Sequence, residues 1–139
     1  MKKIILKGRK VCGGCVEAEA LVTKETISGW GGIDPKTGVI IDLRHELAGE
    51  CFAGKVLVYQ GAKGSSGWSG QFHEARLNGV APAAMVFNET TTKIALGAVV
   101  TRVPAVTDLD QDPTAVIETG DIVKVDGDNG IVEIIKKNR

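Results

Sequence analysis

One stretch limits the possible folds more than any other. Lys55–Tyr59 (KVLVY) is a continuous apolar run of the kind that forms a buried strand. It leads into the glycine-rich Gly61-Ala-Lys-Gly-Ser-Ser-Gly67. Trp68, Phe72, Ala75 and Leu77 then recur at helical spacing up to Asn78, where Gly79 is a C′ stop. Ala83–Phe87 follows as a second buried strand. Buried strands on either side of a glycine loop and a helix call for a layered α/β or mixed-β architecture.

The rest of the chain is dominated by strands. Cys15–Lys24 sets Val16, Ala18, Ala20 and Val22 against Glu17, Glu19, Leu21 and Thr23, a period of two. Lys2–Leu6, Val39–Asp42 and Ile122–Asp126 read as further strands, and Pro104–Val106 as a strand edge. Asp126-Gly-Asp-Asn-Gly130 is a hairpin signal before Ile131–Ile135. Lys93–Ala98 suggests a short helix or turn. With 139 residues, no repeat and no linker, the expectation is one domain over 1–139, mixed β with few helices.

Composition narrows the function classes. Seventeen basic residues balance seventeen acidic ones, so nothing in the charge points to nucleic acid. No apolar run approaches the ~20 residues of a membrane span, and the start lacks a signal-peptide core, so a cytoplasmic address with no membrane contact is expected. Three cysteines, an odd number, argue against a fully paired disulfide scaffold. Aromatics make up only 4%, which leaves Val, Ile, Leu and Ala to fill the interior.

The candidate chemistry lies in the glycine-rich loop. Glycines let backbone N–H groups approach a ligand, and the start of the next helix offers free N–H groups and partial positive charge. With Ser65, Ser66 and Ser69 nearby and Lys63 beside them, the loop suits an anion or carboxylate. Equally, the serines serve only as helix caps. No Gly-Lys-Ser/Thr triplet stands where a Walker A loop requires one.

Several linked motifs extend this picture. Gly31-Gly-Ile-Asp-Pro-Lys-Thr-Gly38 comes first, then Asp42, His45, Leu47 and Gly49. Lys63-Gly-Ser-Ser66, Asn78-Gly-Val-Ala-Pro82 and Gly97-Ala98 before Pro104 follow in order. Thr119-Gly-Asp121 and Val125-Asp-Gly127 complete the series. Over nearly its whole length the chain resembles the small subunit of the aconitase X family. That resemblance implies the swivelling β/β/α fold, similar to the mobile fourth domain of aconitase. It also implies a subunit of a hydro-lyase that acts only with a large catalytic subunit. An iron or iron–sulfur centre belongs to the family's site, held mainly by the large subunit.

The resemblance aligns Ser65 with the family's proton acceptor and puts Lys63, Gly64 and Ser66 beside it as substrate-binding positions. A bare serine is a poor base unless its alkoxide is stabilised, and Lys63 or backbone amides would do that. Arg102, between Thr101 and Pro104, is a further candidate for bidentate binding of a substrate carboxylate. Family loops often begin Gly-Lys-Gly or Gly-Arg-Gly, whereas this one reads Ala62-Lys63-Gly64 and continues Gly67-Trp-Ser-Gly70. Trp68 suits stacking on a small ring, which leans the reading toward cis-3-hydroxy-L-proline dehydratase. The alternative in the family is the phosphomevalonate dehydratase small subunit. An alternative of another class is a swivelling phosphocarrier or binding module, with His73 as the residue to test.

Other features have plainer readings. Cys12-Gly-Gly-Cys15 precedes a strand, not the helix that a thioredoxin-like site requires. Cys51 and His45 would complete a zinc set only if the fold gathered them with it. The Gly29–Asp34 loop suits a surface facing a large subunit or substrate, and equally an Ω-loop, with Asp34 and Pro35 holding the turn. His45 reads as a solvent-exposed turn residue, Arg76 as a surface ion-pair partner, and Lys136, Lys137 and Arg139 as a solvated basic tail.

Overall fold

A computed structural model describes residues 3–28, 32–63, 68–88 and 102–136. The first strands are β1 (Lys3–Lys7), β2 (Arg9–Cys12), β3 (Cys15–Val22) and β4 (Ile27–Ser28). Next come β5 (Ile33–Asp34), β6 (Val39–Ile40), β7 (Val56–Tyr59), β8 (Ala62–Lys63) and the helix α1 (Trp68–Leu77). The chain continues with β9 (Ala84–Phe87), β10 (Ala105–Thr107), a single helical turn Pro113–Val116, β11 (Ile122–Asp126) and β12 (Ile131–Ile135).

Eight strands form one mixed sheet in the order β1-β12-β11-β3-β7-β9-β10-β2. From β1 to β3 the pairs are antiparallel, from β3 to β10 parallel, and β2 closes the far edge antiparallel to β10. β1 and β2 therefore stand at opposite edges of the sheet, yet only Gly8 separates them in the chain. The sheet must curl until its edges meet. Gly8 sits at that junction, donating its N–H to Gly130 O at 2.8 Å, and a Cβ there would run into the Thr107 carbonyl.

Two apolar clusters follow from this shape. Inside the curl, Ala20, Val56, Val58, Val86, Val123 and Val132 pack together. On the outer face of the parallel strands, Leu57, Tyr59, Met85 and Phe87 pack beneath Ile33, Ile40, Phe52 and the Phe72 of α1. The rings of Phe52 and Phe72 lie 5.5 Å apart. β7 and β9 are covered on both faces, which is why they carry no polar alternation. The N-terminal half of β3 has one wet face and alternates as expected.

The sheet-dominated α/β fold with few helices matches the expectation. Helix α1 ends as predicted in a Schellman motif: Val80 N donates to Ala75 O, Gly79 N donates to Arg76 O, and Gly79 has φ 74°. Three local expectations are corrected. The strand from Val39 ends at Ile40 because Asp42 caps a turn, its carboxylate accepting from Arg44 N at 3.0 Å. β10 is an interior strand, not an edge, because Arg9–Cys12 adds a strand outside it. Lys136 is no solvated tail residue: its ammonium lies 2.7 Å from the carboxylate of fully buried Asp121. The helix or turn expected over Lys93–Ala98, and Lys137 and Arg139 of the basic tail, lie outside the described residues. Among the described residues no helix is long and apolar enough to cross a membrane.

Candidate functional site

The strand that leads to the predicted glycine-serine loop lies beyond the carboxyl ends of the parallel strands. β3 and β7 both continue past the main sheet. Thr23 N donates to Val58 O at 2.9 Å and Ile27 N to Gly61 O at 3.0 Å, and the chains then pair again as the parallel strands β4 and β8. In that register Ser28 stands opposite Lys63. The strand ends from which the two glycine-rich segments are entered, Ser28 and Lys63, therefore stand side by side and point the same way. The described chain resumes after Lys63 with α1 from Trp68, whose first turn carries no acidic residue to oppose an anion. Phe72 and Ala75 bury one face of α1 and fix its direction.

Of the predicted residues, Lys63 is described in its backbone, within β8. Gly64, Ser65 and Ser66 lie outside the described residues. Arg102 is exposed, with left-handed φ 57°, three residues before β10. The pairing of Ala105 with Met85 sets it at the N-terminal end of the parallel strands, whereas Lys63 lies beyond their C-terminal ends. The fold thus separates Arg102 from Lys63 by the length of those strands. His73 lies mid-helix in α1 and is exposed.

A second feature flanks the first glycine-rich segment. Gly32, where the described chain resumes, accepts from Ile41 N at 2.9 Å and Asp42 N at 3.4 Å. Asp34 holds the neighbouring turn, as expected, through its carboxylate to Lys36 N at 2.9 Å and its carbonyl to Gly38 N at 2.8 Å. His45, expected in solvent, is only 8% exposed. Its Nδ1 accepts from Leu47 N at 3.0 Å and its Nε2 lies 3.1 Å from Thr26 O, so the ring is held as the neutral Nε2–H tautomer. Around it Thr23 Oγ1 donates to Glu46 Oε1 at 2.5 Å, and Glu46 N donates to Glu25 Oε2 at 2.8 Å. The Thr23 hydroxyl holds the Glu46 carboxyl below its ordinary range, with smaller help from the N–H and the ammonium of Lys24. This web ties the 23–26 connector to the 41–47 segment, a coupling between distant stretches that no local motif announced.

An open groove of about 290 Å³ lies at the end of β3 between Thr23, Lys24, Glu46, Thr114 and Glu118. Three of its polar groups are engaged with protein: Thr23 with Glu46, Thr114 with Asp112, and Glu118 with Lys136. Among the described residues no three His, Cys, Asp or Glu side chains converge as a metal site. Cys12 ends β2 and Cys15 opens β3, while Cys51 donates to Thr37 O at 3.5 Å in another part of the fold. The described residues therefore supply no ligand set for the iron centre implied by the resemblance.

Comparison with known proteins agrees with this fold. The family model described as the aconitase X swivel domain matches residues 5–134. A Methanosarcina acetivorans protein named phosphomevalonate dehydratase small subunit is 40% identical over 136 residues, covering 98% of this chain and 94% of that protein. A protein of the same name from Methanocella arvoryzae is 43% identical over 129 residues, covering 93% and 98%. The crystal structure of Thermococcus kodakaraensis aconitase X in its holo-form superposes with a TM-score of 0.90 at 38% identity, covering 96% of this chain and 99% of that one.

Proposed function

The chain belongs to the aconitase X swivel-domain family, and from that premise we propose that it is the small subunit of a cytoplasmic phosphomevalonate dehydratase. The observation that carries this reading is near-full-length identity of about 40% with relatives bearing that name. Those names favour the phosphomevalonate branch over the cis-3-hydroxy-L-proline branch suggested by Trp68. His73, in the middle of α1 and not at its head, gives little support to a phosphocarrier.

In this reading the reaction removes water from a hydroxy acid: a base takes a carbon-bound proton, an acid meets the departing hydroxyl, and anchors hold the anionic groups. Ser65 is the proton acceptor. The amides of Gly64 and Ser66, with Lys63 and the start of α1, hold negative charge and stabilise the alkoxide that Ser65 needs. The parallel pairing of Ser28 with Lys63 supports this, because the strand ends that lead to both glycine-rich segments are neighbours. Arg102, at the other end of those strands, takes no part in this chemistry. The iron centre, and the Lewis acidity it would offer the leaving hydroxyl, belong with the large subunit.

The test is reconstitution with the large subunit from the same genome. The isolated chain should be inactive and the pair should dehydrate mevalonate 5-phosphate, with activity at least a hundredfold lower in the Ser65→Ala pair. Activity on cis-3-hydroxy-L-proline instead would move the enzyme to the other branch. Full activity of the Ser65→Ala pair would remove the serine from the mechanism.

A further inference from the structure

His45 joins two stretches of chain through opposite sides of one ring. Its Nε2 lies 3.1 Å from Thr26 O, on the connector before β4, and its Nδ1 accepts from Leu47 N at 3.0 Å. The ring and Leu47 are both nearly buried, so water is a poor replacement for either partner. The bond to Leu47 exists only while Nδ1 keeps its lone pair. Protonation makes Nδ1 a donor, and two N–H groups then oppose each other across that contact.

A new partner already stands beside the ring. Glu25 Oε2 lies 3.6 Å from the same nitrogen and accepts from Glu46 N at 2.8 Å, which holds it there. The other carboxylates of the two stretches are turned elsewhere: Glu46 to Thr23 Oγ1 and Lys24 N, Asp42 to Arg44 N. Lys24 and Arg44 supply the cations. Among the described residues Glu25 is the only carboxylate that pairs with the imidazole.

We propose that His45 is a proton-operated latch. With the ring neutral, Nδ1 holds Leu47 N–H and the 41–47 segment is closed on the connector. With the ring protonated, Nδ1–H turns to Glu25 while Nε2–H keeps Thr26 O, so the Leu47 end is released and the connector is not. The proton comes from solvent, and imidazole is the side chain whose charge changes nearest neutrality. The latch belongs to the fold and holds whatever reaction the chain serves.

NMR spectra of the ring nitrogens and amide hydrogen exchange of the full chain, followed together from about pH 8 to pH 5, test this. The neutral ring should show the Nε2–H tautomer. Leu47 protection, corrected for the intrinsic pH dependence of exchange, should fall roughly tenfold along the ring's titration, while the core amides of β7 keep theirs. Glu25→Gln retains an acceptor for Glu46 N but loses the charge, so ring and Leu47 should change together at lower pH than in wild type. Leu47 protection that stays constant while the ring protonates would overturn the latch, as would an Nδ1–H tautomer. A ring that takes up no proton before the β7 amides open overturns it too. If Glu25→Gln titrates as wild type does, the exchange of partners fails. Should that variant melt early, the wild-type titration decides.

Discussion

Lys136 Nζ lies 2.7 Å from the Oδ2 of Asp121, an aspartate with no solvent exposure at all. The same ammonium donates to Val116 O at 2.8 Å and reaches Glu118 Oε1 at 3.3 Å. Asp121 Oδ2 also accepts from Glu118 N at 2.9 Å, while its backbone carbonyl accepts from Ala20 N at 2.8 Å. The pair therefore fixes the turn before β11 against β3 and ties the end of β12 to it. Two charges in a low-dielectric site are tolerated because hydrogen bonds from several directions offset their desolvation.

Removing the cation alone should be costly. Lys136→Met deprives a buried carboxylate of its counter-charge, and a loss of about 3 kcal/mol is expected. Urea denaturation at neutral pH checks it. Combining Lys136→Met with Asp121→Asn should recover part of the loss, because the second change removes the stranded charge; simple addition of the two single effects would refute the coupling.

Glycine substitutions should divide by what a Cβ would meet. At Gly127, which donates to Gly14 O at 2.7 Å, a Cβ would strike the Cys12 carbonyl, a backbone atom with nowhere to go. Gly127→Ala should cost on the order of 2–3 kcal/mol through forced backbone movement. At Gly54, φ is 71° and no atom lies within 4 Å, so Gly54→Ala meets only left-handed strain, about 1 kcal/mol. Denaturation midpoints for the two variants check the order.

The contrast between Lys55–Tyr59 and His45 marks how far a sequence can be read. The apolar run, the alternation of Cys15–Val22, the hairpin at Asp126–Gly130 and the stop at Gly79 are local signals with local causes. Burial of His45 and Lys136 depends on partners 19 and 15 residues away, and no spacing rule predicts them. Arg9–Cys12 escaped notice because four residues with two leading charges show no period; only pairing with β10 makes them a strand. The turn Pro113–Val116 did carry a signal, Asp112 as N-cap accepting from Thr114 N with proline at the first position, but it is too short for periodicity. The glycine-serine loop reads in the sequence as an anion-friendly bend, and its residues 64–67 lie outside the described residues. That Ser28 and Lys63, the strand ends before the two glycine-rich segments, stand side by side was not legible, since this depends on the parallel pairing of Ile27–Ser28 with Ala62–Lys63.

Replacing His45 tests the clamp at the base of the 41–44 turn. His45→Phe keeps the ring's bulk but leaves Leu47 N–H and Thr26 C=O without the imidazole. A loss of about 2 kcal/mol is expected from two bonds broken in a mostly buried place. Hydrogen exchange should quicken at Leu47 relative to the core amides of β7. Unchanged exchange there would mean that the imidazole does not hold the turn.

The Thr23–Glu46 bond should give the fold a specific acid sensitivity. Thr23 is buried and its hydroxyl is the main cause that lowers the Glu46 carboxyl below the ordinary glutamate range. A depressed carboxylate stabilises the folded state above its unfolded pKa, and that contribution disappears as pH falls through the folded value. Thr23→Val removes the donor, along with the acceptor for Glu25 N, and should cost about 1 kcal/mol at pH 7. Asp126, held down by Asn129, and Glu133, held down by Lys3, titrate in the same direction but alike in both proteins, so they cancel in the difference. The stability gap between wild type and Thr23→Val, followed by urea denaturation from pH 7 to pH 3, should therefore be widest at neutral pH and narrow as Glu46 takes up its proton. A gap that stays constant across the range would show that the hydroxyl acts by packing alone.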